Sequence, residues 1–155
     1  MKLAEALAER KSLQDRLAAL TTRARKALMV IEGRNPTESV EQLLKDIETA
    51  LSRWEYMVVK INQTNTATTL ANGMNLMEAI AKRDALSRSI GVYQSLLAAG
   101  TGEREFHGMI PRDMVTLVPT ISLTPLQEKV DTLISERLKL DLAIQEAGWT
   151  HDLIE

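Results

Sequence analysis

Residues 126–147 read LQEKVDTLISERLKLDLAIQEA, and the apolar side chains of this stretch decide the fold because they recur at alternating gaps of four and three. This spacing keeps one stripe of a helix turned toward a neighbouring helix, so the stretch is predicted to be an amphipathic helix packed on another helix. The stripe comprises Leu126, Val130, Leu133, Arg137, Leu140, Ile144 and Ala147.

Three earlier stretches repeat the same spacing. Their stripes are Leu3, Ala6, Arg10, Leu13, Leu17, Leu20, Ala24, Ala27 and Ile31; Val40, Leu44, Ile47, Leu51, Trp54, Val58 and Ile61; and Leu76, Ala79, Arg83, Leu86, Ile90, Tyr93 and Leu97. We therefore expect helices at about 2–31, 36–62, 76–99 and 125–147 in a single domain over 1–155. The predicted fold is mainly α: a long antiparallel α-hairpin plus two further helices, as in a helical bundle or coiled coil.

Turn-forming residues place the helix ends. Gly33 is predicted to close the first helix, and Asn35 with Pro36 is predicted to begin the second after a short connection. The Asn- and Thr-rich tract 62–73 is predicted to end the second helix, because such side chains compete for backbone hydrogen bonds. Gly148 is predicted to end the fourth helix, with Trp149 folding back onto its last turn.

Residues 113–122, DMVTLVPTIS, are the one segment that resembles a strand. Pro119 lacks a backbone donor and restricts the segment to an edge or isolated strand. Three outcomes are open: pairing with a copy of itself in another subunit, pairing with the 65–72 tract, or an extended and unpaired segment.

Composition narrows the functional classes. The chain has 155 residues, a formal net charge of −2 and no cysteine. A near-neutral charge gives no general attraction to nucleic acid or anionic lipid, and the lack of cysteine excludes disulfides and thiolate sites. The N-terminal sequence does not resemble a signal peptide, and no apolar run is long enough to span a membrane, so a cytoplasmic protein is expected.

Residues typical of catalysis are sparse. Neither of the two histidines, His107 and His151, follows a glutamate by three positions, so the Glu-x-x-His motif of di-iron bundles is missing. No glycine-rich phosphate loop and no G-x-S-x-G motif occurs. We expect the protein to bind no metal and no cofactor, and an enzyme is the less favoured class of protein.

The polar residues that stand out divide into two sets. Three arginines, Arg10, Arg83 and Arg137, occupy stripe positions where leucine is expected, and they require an acid, a carbonyl, an anion or water. Asp84 and Asp141 lie close in sequence to Arg83 and Arg137. This favours a layer of polar side chains that fixes the register of the helices, and an anion pocket is the alternative. The second set comprises Asn62, Thr64 and Asn65, which either cap a helix or, with Arg83 and Asp84, form a candidate ligand site.

The pattern resembles a family of short bacterial proteins of unknown function, some of which are labelled septicolysin-like. The resemblance implies a bacterial, mostly helical protein, with no established catalytic residues to transfer. It is carried by Met1–Leu7 with Glu9-Arg10, Glu32-Gly33 before Pro36, Ile61-Asn62-x-Thr64-Asn65, Glu78-Ala79-x-Ala81-x-Arg83-Asp84-x-Leu86, Leu126-Gln127 and Trp149.

The leading hypothesis is a non-enzymatic helical protein that forms homo-oligomers through its stripes, without nucleic-acid or membrane partners. The first alternative is a protein, possibly an enzyme, that binds a small molecule or anion through Arg83, Asp84, Asn62 and Asn65. A membrane-active, cytolysin-like protein is the second.

Overall fold

The computed structural model of the protein describes residues 1–102 and 117–155. These residues form four helices: α1, Leu3–Ala27; α2, Val40–Ala67; α3, Leu76–Gly100; and α4, Thr124–Thr150. The only β pairing in the described part is two isolated bridges. The predicted mainly α, four-helix fold is therefore confirmed.

The chain divides into two compact units. Unit 1 comprises Met1–Met77 and Gln145–Glu155, and unit 2 comprises Glu78–Ile144. The single domain over 1–155 stays a prediction, and each unit is described by itself below.

In unit 1, α1 and α2 form the predicted antiparallel hairpin. Arg53 Nε donates to Glu9 Oε1 at 2.6 Å, and Arg23 forms a second ion pair with Glu38. The residue number rises from 9 to 23 on α1 as it falls from 53 on α2 to 38 just before α2, so the helices run in opposite directions. The buried cluster Leu20, Ala24, Ala27 and Leu43 packs between them.

The connection between these helices is longer than predicted. α1 ends at Ala27 rather than near Ile31, and α2 begins at Val40 rather than at Pro36. Ser39 caps α2 in place of Asn35, because its Oγ accepts a hydrogen bond from Gln42 N at 3.3 Å. Residues 28–31 are exposed, so burial does not offset the low helix propensity of the β-branched Val30 and Ile31.

The buried stripe of α2 was predicted wrongly. Leu44 and Leu51 are 49% and 48% exposed, whereas the neighbouring Leu43 and Ala50 are buried with Met57. Both stripes share Val40, Ile47, Trp54 and Ile61 and both have helical spacing, so α2 alone does not select one. The position of α1 selects the stripe that contains Leu43.

α2 continues through the polar tract to Ala67, beyond the predicted end near Asn62. The hydroxyls of Thr64 and Thr66 donate to the carbonyls one turn earlier, those of Lys60 at 2.8 Å and Asn62 at 3.0 Å. These bonds leave the helical N–H ladder intact, so the side chains do not break the helix. The following turn closes through Gly73, whose φ is +84°, and through a bridge between Thr69 and Asn75.

In unit 2, α3 and α4 run antiparallel. Arg83 Nε lies 3.8 Å from Asp141 Oδ1, and further along α3 Gln94 lies near Gln127 in a shared cavity. The predicted stripes are confirmed here: Leu86 and Ile90 of α3 and Val130, Leu133 and Leu140 of α4 are buried.

The predicted strand at 113–122 lies partly outside the described residues, which resume at Leu117. Residues 117–122 form no strand, and Leu117, Val118 and Ile121 are exposed. The 65–72 tract pairs with Asn75 instead. Pro119 and the absence of a facing strand in the described part explain why the alternation in this segment does not produce a sheet.

α4 runs through Gly148 to Thr150, and Trp149 is 67% exposed rather than folded back. Gly148 is helical and buried, and a Cβ placed there would lie 3.7 Å from Ala4 Cβ. This glycine therefore lies inside α4, beside α1, and does not terminate the helix.

Candidate functional site

The predicted Asn/Thr cluster lies on the last turns of α2, in unit 1. Thr64 is 1% exposed, and its hydroxyl both donates to Lys60 O and accepts from Ile154 N at 3.0 Å. Asn62 is exposed and Asn65 is half-buried. The Thr64 hydroxyl is buried and its one donor is already used within the helix, so its role here is to hold the C-terminal segment.

The predicted Arg/Asp residues lie in unit 2, at the middle of α3. Arg83 Nη2 donates to Asp84 Oδ1 at 2.7 Å, and Arg83 Nε lies 3.8 Å from Asp141. Arg137 Nε lies 4.0 Å from the same carboxylate. Two guanidinium groups therefore meet two carboxylates, and the group is close to neutral.

Two buried polar atoms in the described part have no hydrogen-bond partner: Nε1 of Trp54 and Nε of Arg137. Buried donors are normally satisfied, so each of these atoms is a point where an external acceptor would stabilise the protein. The third stripe arginine, Arg10, is half-buried on α1.

The described part of unit 2 contains a cavity of about 300 Å³ between the end of α3 and the start of α4. Its polar lining is Gln94, Thr101, Gln127 and Asp131. Gln127 Nε2 donates to Asp131 Oδ1 at 2.9 Å, so these two lining side chains hold each other in place. This cavity is a feature that helix periodicity could not reveal, because it depends on how two helix ends meet.

Metal and membrane sites find no basis in the described residues. Histidine, aspartate and glutamate side chains do not gather there in groups of three that would hold a metal ion. No helix of that part combines the length and apolarity needed to cross a bilayer. His107 lies outside the described residues.

Apolar side chains on the outside are the most prominent feature that the stripe analysis missed. Val92 and Leu96 of α3 are 54% and 52% exposed, and Leu138 and Leu142 of α4 are also exposed. The chain from Ser89 to Gly102 contains no charged residue. This uncharged run was visible in the sequence and is the signal by which the exposed surface of α3 could have been found.

The end of the α1–α2 hairpin carries a second apolar surface. Leu28, Met29, Val30 and Ile31 are consecutive, non-helical and 60%, 85%, 47% and 69% exposed. We call these four residues the hairpin tip. Sequence reasoning had placed them inside the first helix, where only Ile31 was a stripe residue.

These features define an all-α protein of four helices, with apolar outer surfaces and without a metal cluster in the described part. Residues 10–153 match a family described as "Family of unknown function (DUF6847)", and the chain belongs to that family. The chain is also similar to a solved structure titled "Crystal structure of a functionally unknown conserved protein from Corynebacterium diphtheriae." That likeness has 30% sequence identity over 99% of each chain and a TM-score of 0.89. No curated protein matches.

The comparisons agree with the resemblance to a family of unknown function. They give no support to the septicolysin-like label.

Proposed function

We propose that this chain is a non-enzymatic helical protein that self-associates, with a second copy of the chain covering the outer surface of α3. The observation that carries the proposal is the uncharged run Ser89–Gly102, on which Val92 and Leu96 remain half-exposed. A helix of a soluble protein normally turns charged residues toward water, and a helix that is apolar on all sides is normally buried.

The inner side of α3 is already occupied. Leu86 and Ile90 are buried within unit 2, so Val92 and Leu96 form a second apolar surface in addition to that core. Large exposed apolar patches on soluble proteins mark interaction sites. A second copy is the favoured occupant because the same surface on two molecules is self-complementary in a two-fold contact, and because apolar residues on this surface introduce no charge repulsion.

A substitution on α3 tests the proposal. Leu96→Lys places a charge in the contact, so light scattering behind a sizing column at micromolar concentration should show a smaller species than the parent protein. Ser87→Lys is the matched control, since it adds the same charge at an exposed polar position of α3. A parent protein that is monomeric under these conditions would end the proposal.

One observation favours a second candidate function, the binding of an anion in unit 2. Arg137 Nε is buried without an acceptor, close to Arg83 and Asp141. Asp84 and Asp141 already neutralise the two arginines, so self-association remains the favoured function. Inorganic phosphate should raise the melting temperature if the candidate is correct, and Arg83→Leu should abolish that rise.

A further inference from the structure

The hairpin tip, Leu28–Ile31, is apolar and exposed. Met29, at 85%, is the most exposed of the large hydrophobic residues in the described part. Single exposed apolar residues are ordinary, but four consecutive ones form a contiguous patch on the order of a few hundred Å², the size that marks an interaction site.

The backbone of the tip is also unsatisfied by the protein. Leu28 N–H donates to Ala24 O at 3.0 Å, and Ile31 O accepts from Arg34 N at 2.9 Å. Between these two bonds, the N–H groups of Met29, Val30 and Ile31 have no acceptor among the described residues. In the hydrocarbon of a bilayer such groups would cost several kcal/mol each, whereas a protein partner can accept from them.

The charges around the tip have both signs. Arg25, Lys26 and Arg34 are exposed beside it, together with Glu32 in the loop and Glu41 in the first turn of α2. None of these five forms an ion pair within the described residues. A rim of one sign would favour an anionic bilayer or an acidic peptide, but a mixed rim around an apolar centre is typical of a protein interface.

We infer that the hairpin tip binds the hairpin tip of a second copy of this chain. In a two-fold contact the charged residues around one tip face the same residues of the other tip in the opposite order. Each cation can therefore lie opposite an anion of the second copy. Apolar side chains fill the centre, and the free N–H groups of each tip face acceptors on the other copy. The inference deepens the proposed self-association and rests on it.

The size of the tip fixes its role in the assembly. A tip-to-tip contact buries on the order of 1,000 Å² in total, less than the roughly 1,200–2,000 Å² of stable interfaces. The tip is therefore too small to hold two free copies together for long. It acts as a weaker contact that joins assemblies already held by the α3 surface into a larger species.

The lack of cysteine in the chain permits a clean cross-linking test. Met29→Cys introduces a single thiol at the centre of the tip, and a disulfide forms only where two such thiols approach closely. Under mild oxidation this variant should form a covalent dimer on the order of a hundredfold faster than the control Thr49→Cys. The control thiol lies at an exposed position of α2, away from the tip.

A second variant measures the contribution of the tip to assembly. Met29→Asp with Ile31→Asp should lower the mass of the largest species while the species that depends on Leu96 persists. Thr49→Asp with Ser52→Asp adds the same charge at exposed polar positions and should leave both species unchanged.

Failure of the inference and failure of the proposed function give different results. If the parent protein assembles but Met29→Cys cross-links no faster than Thr49→Cys, the tip contact is wrong and self-association stands. If the parent protein is monomeric and neither variant cross-links, both are wrong. Sedimentation of the parent protein with phosphatidylserine vesicles, lost in the double Asp variant without any cross-linking, would assign the tip to a membrane and overturn the inference.

Discussion

At the end of unit 1 that holds both termini, the chain is closed by hydrogen bonds. Leu3 N–H donates to His151 O at 3.0 Å, and Leu153 N–H donates to Met1 O at 2.8 Å. Ile154 N–H donates to the buried hydroxyl of Thr64. At the opposite end, about 37 Å away along the 25 residues of α1, the hairpin tip leaves its side chains and its N–H groups open.

The closed end therefore contributes to the stability of the chain, whereas the open end leaves a surface exposed for interaction. The closed end brings both termini and α2 into a single network, so changes there should lower the free energy of unfolding. The open end stabilises little within one chain, because its side chains remain in water. The predictions below compare matched residues of these two ends or of α2, which connects them.

The largest contrast is expected between the adjacent leucines of α2. Leu43→Ala removes a buried side chain from the cluster that ends below the tip, and should lower the free energy of unfolding by about 2–5 kcal/mol. Leu44→Ala removes a half-exposed side chain and should cost less than about 1 kcal/mol. Urea denaturation measures both. Equal losses would mean that the stripe of α2 is not the one described here.

The threonines of α2 provide the next contrast. Thr64→Val leaves the Ile154 N–H without its acceptor and should cost about 1–3 kcal/mol. Thr66→Val removes an exposed hydroxyl that makes the same bond one turn back, at 3.0 Å to Asn62 O, and should be close to neutral. Thermal unfolding compares the two, and hydrogen exchange at Ile154 should increase in the first variant alone.

Two glycines should respond with opposite signs. Gly148→Ala places a methyl group in ordinary contact with Ala4 inside a helix, so it should stabilise the closed end by about 0.5–1 kcal/mol. Gly33→Ala, next to the tip, forces a side chain into a φ of +83° and should cost about 1–2 kcal/mol. A loss of stability in Gly148→Ala would show that α4 packs on α1 more tightly than the 3.7 Å spacing allows.

The smallest effect is expected from pH, because both ends carry an exposed ion pair. Hydrogen bonds from Lys2 and Arg23 hold the pKa values of Asp152 and Glu38, respectively, below their ordinary values. A lowered pKa in the folded state means that this stabilisation is present above the ordinary carboxylate pKa of about 4 and is lost as the pH falls through the lowered value. Lys2→Met should flatten the acid limb of a stability profile at the closed end. If Lys2→Met leaves the loss of stability at acid pH unchanged, Asp152 does not contribute to that loss.

The sequence predicted the α3 and α4 stripes because each stripe has more apolar residues at helical spacing than the exposed apolar surface beside it. Prediction failed for α2, where Leu43 and Leu44 are adjacent and either one completes a stripe. It also failed at Leu28–Ile31, because apolar residues after a helical stripe extend the pattern whether or not a second helix faces them.

For the candidate site, the sequence identified Arg83 and Asp84 as partners, and they form a 2.7 Å hydrogen bond. It did not predict that the Thr64 hydroxyl would accept a hydrogen bond from Ile154 N–H, because these two residues lie 90 positions apart in the chain. Hydrogen bonds between residues so far apart in the chain depend on tertiary packing, and they produce no recognisable pattern in the neighbouring sequence.

What the amino-acid sequence determined by itself is the set of four helices in the described residues, because helical spacing is a local property of the chain. The tertiary structure alone decided which leucine of α2 is buried, where α1 ends, and which apolar residues remain in water. Those outcomes depend on whether another helix lies opposite each residue, and apolar side chains leave water only where a partner surface receives them.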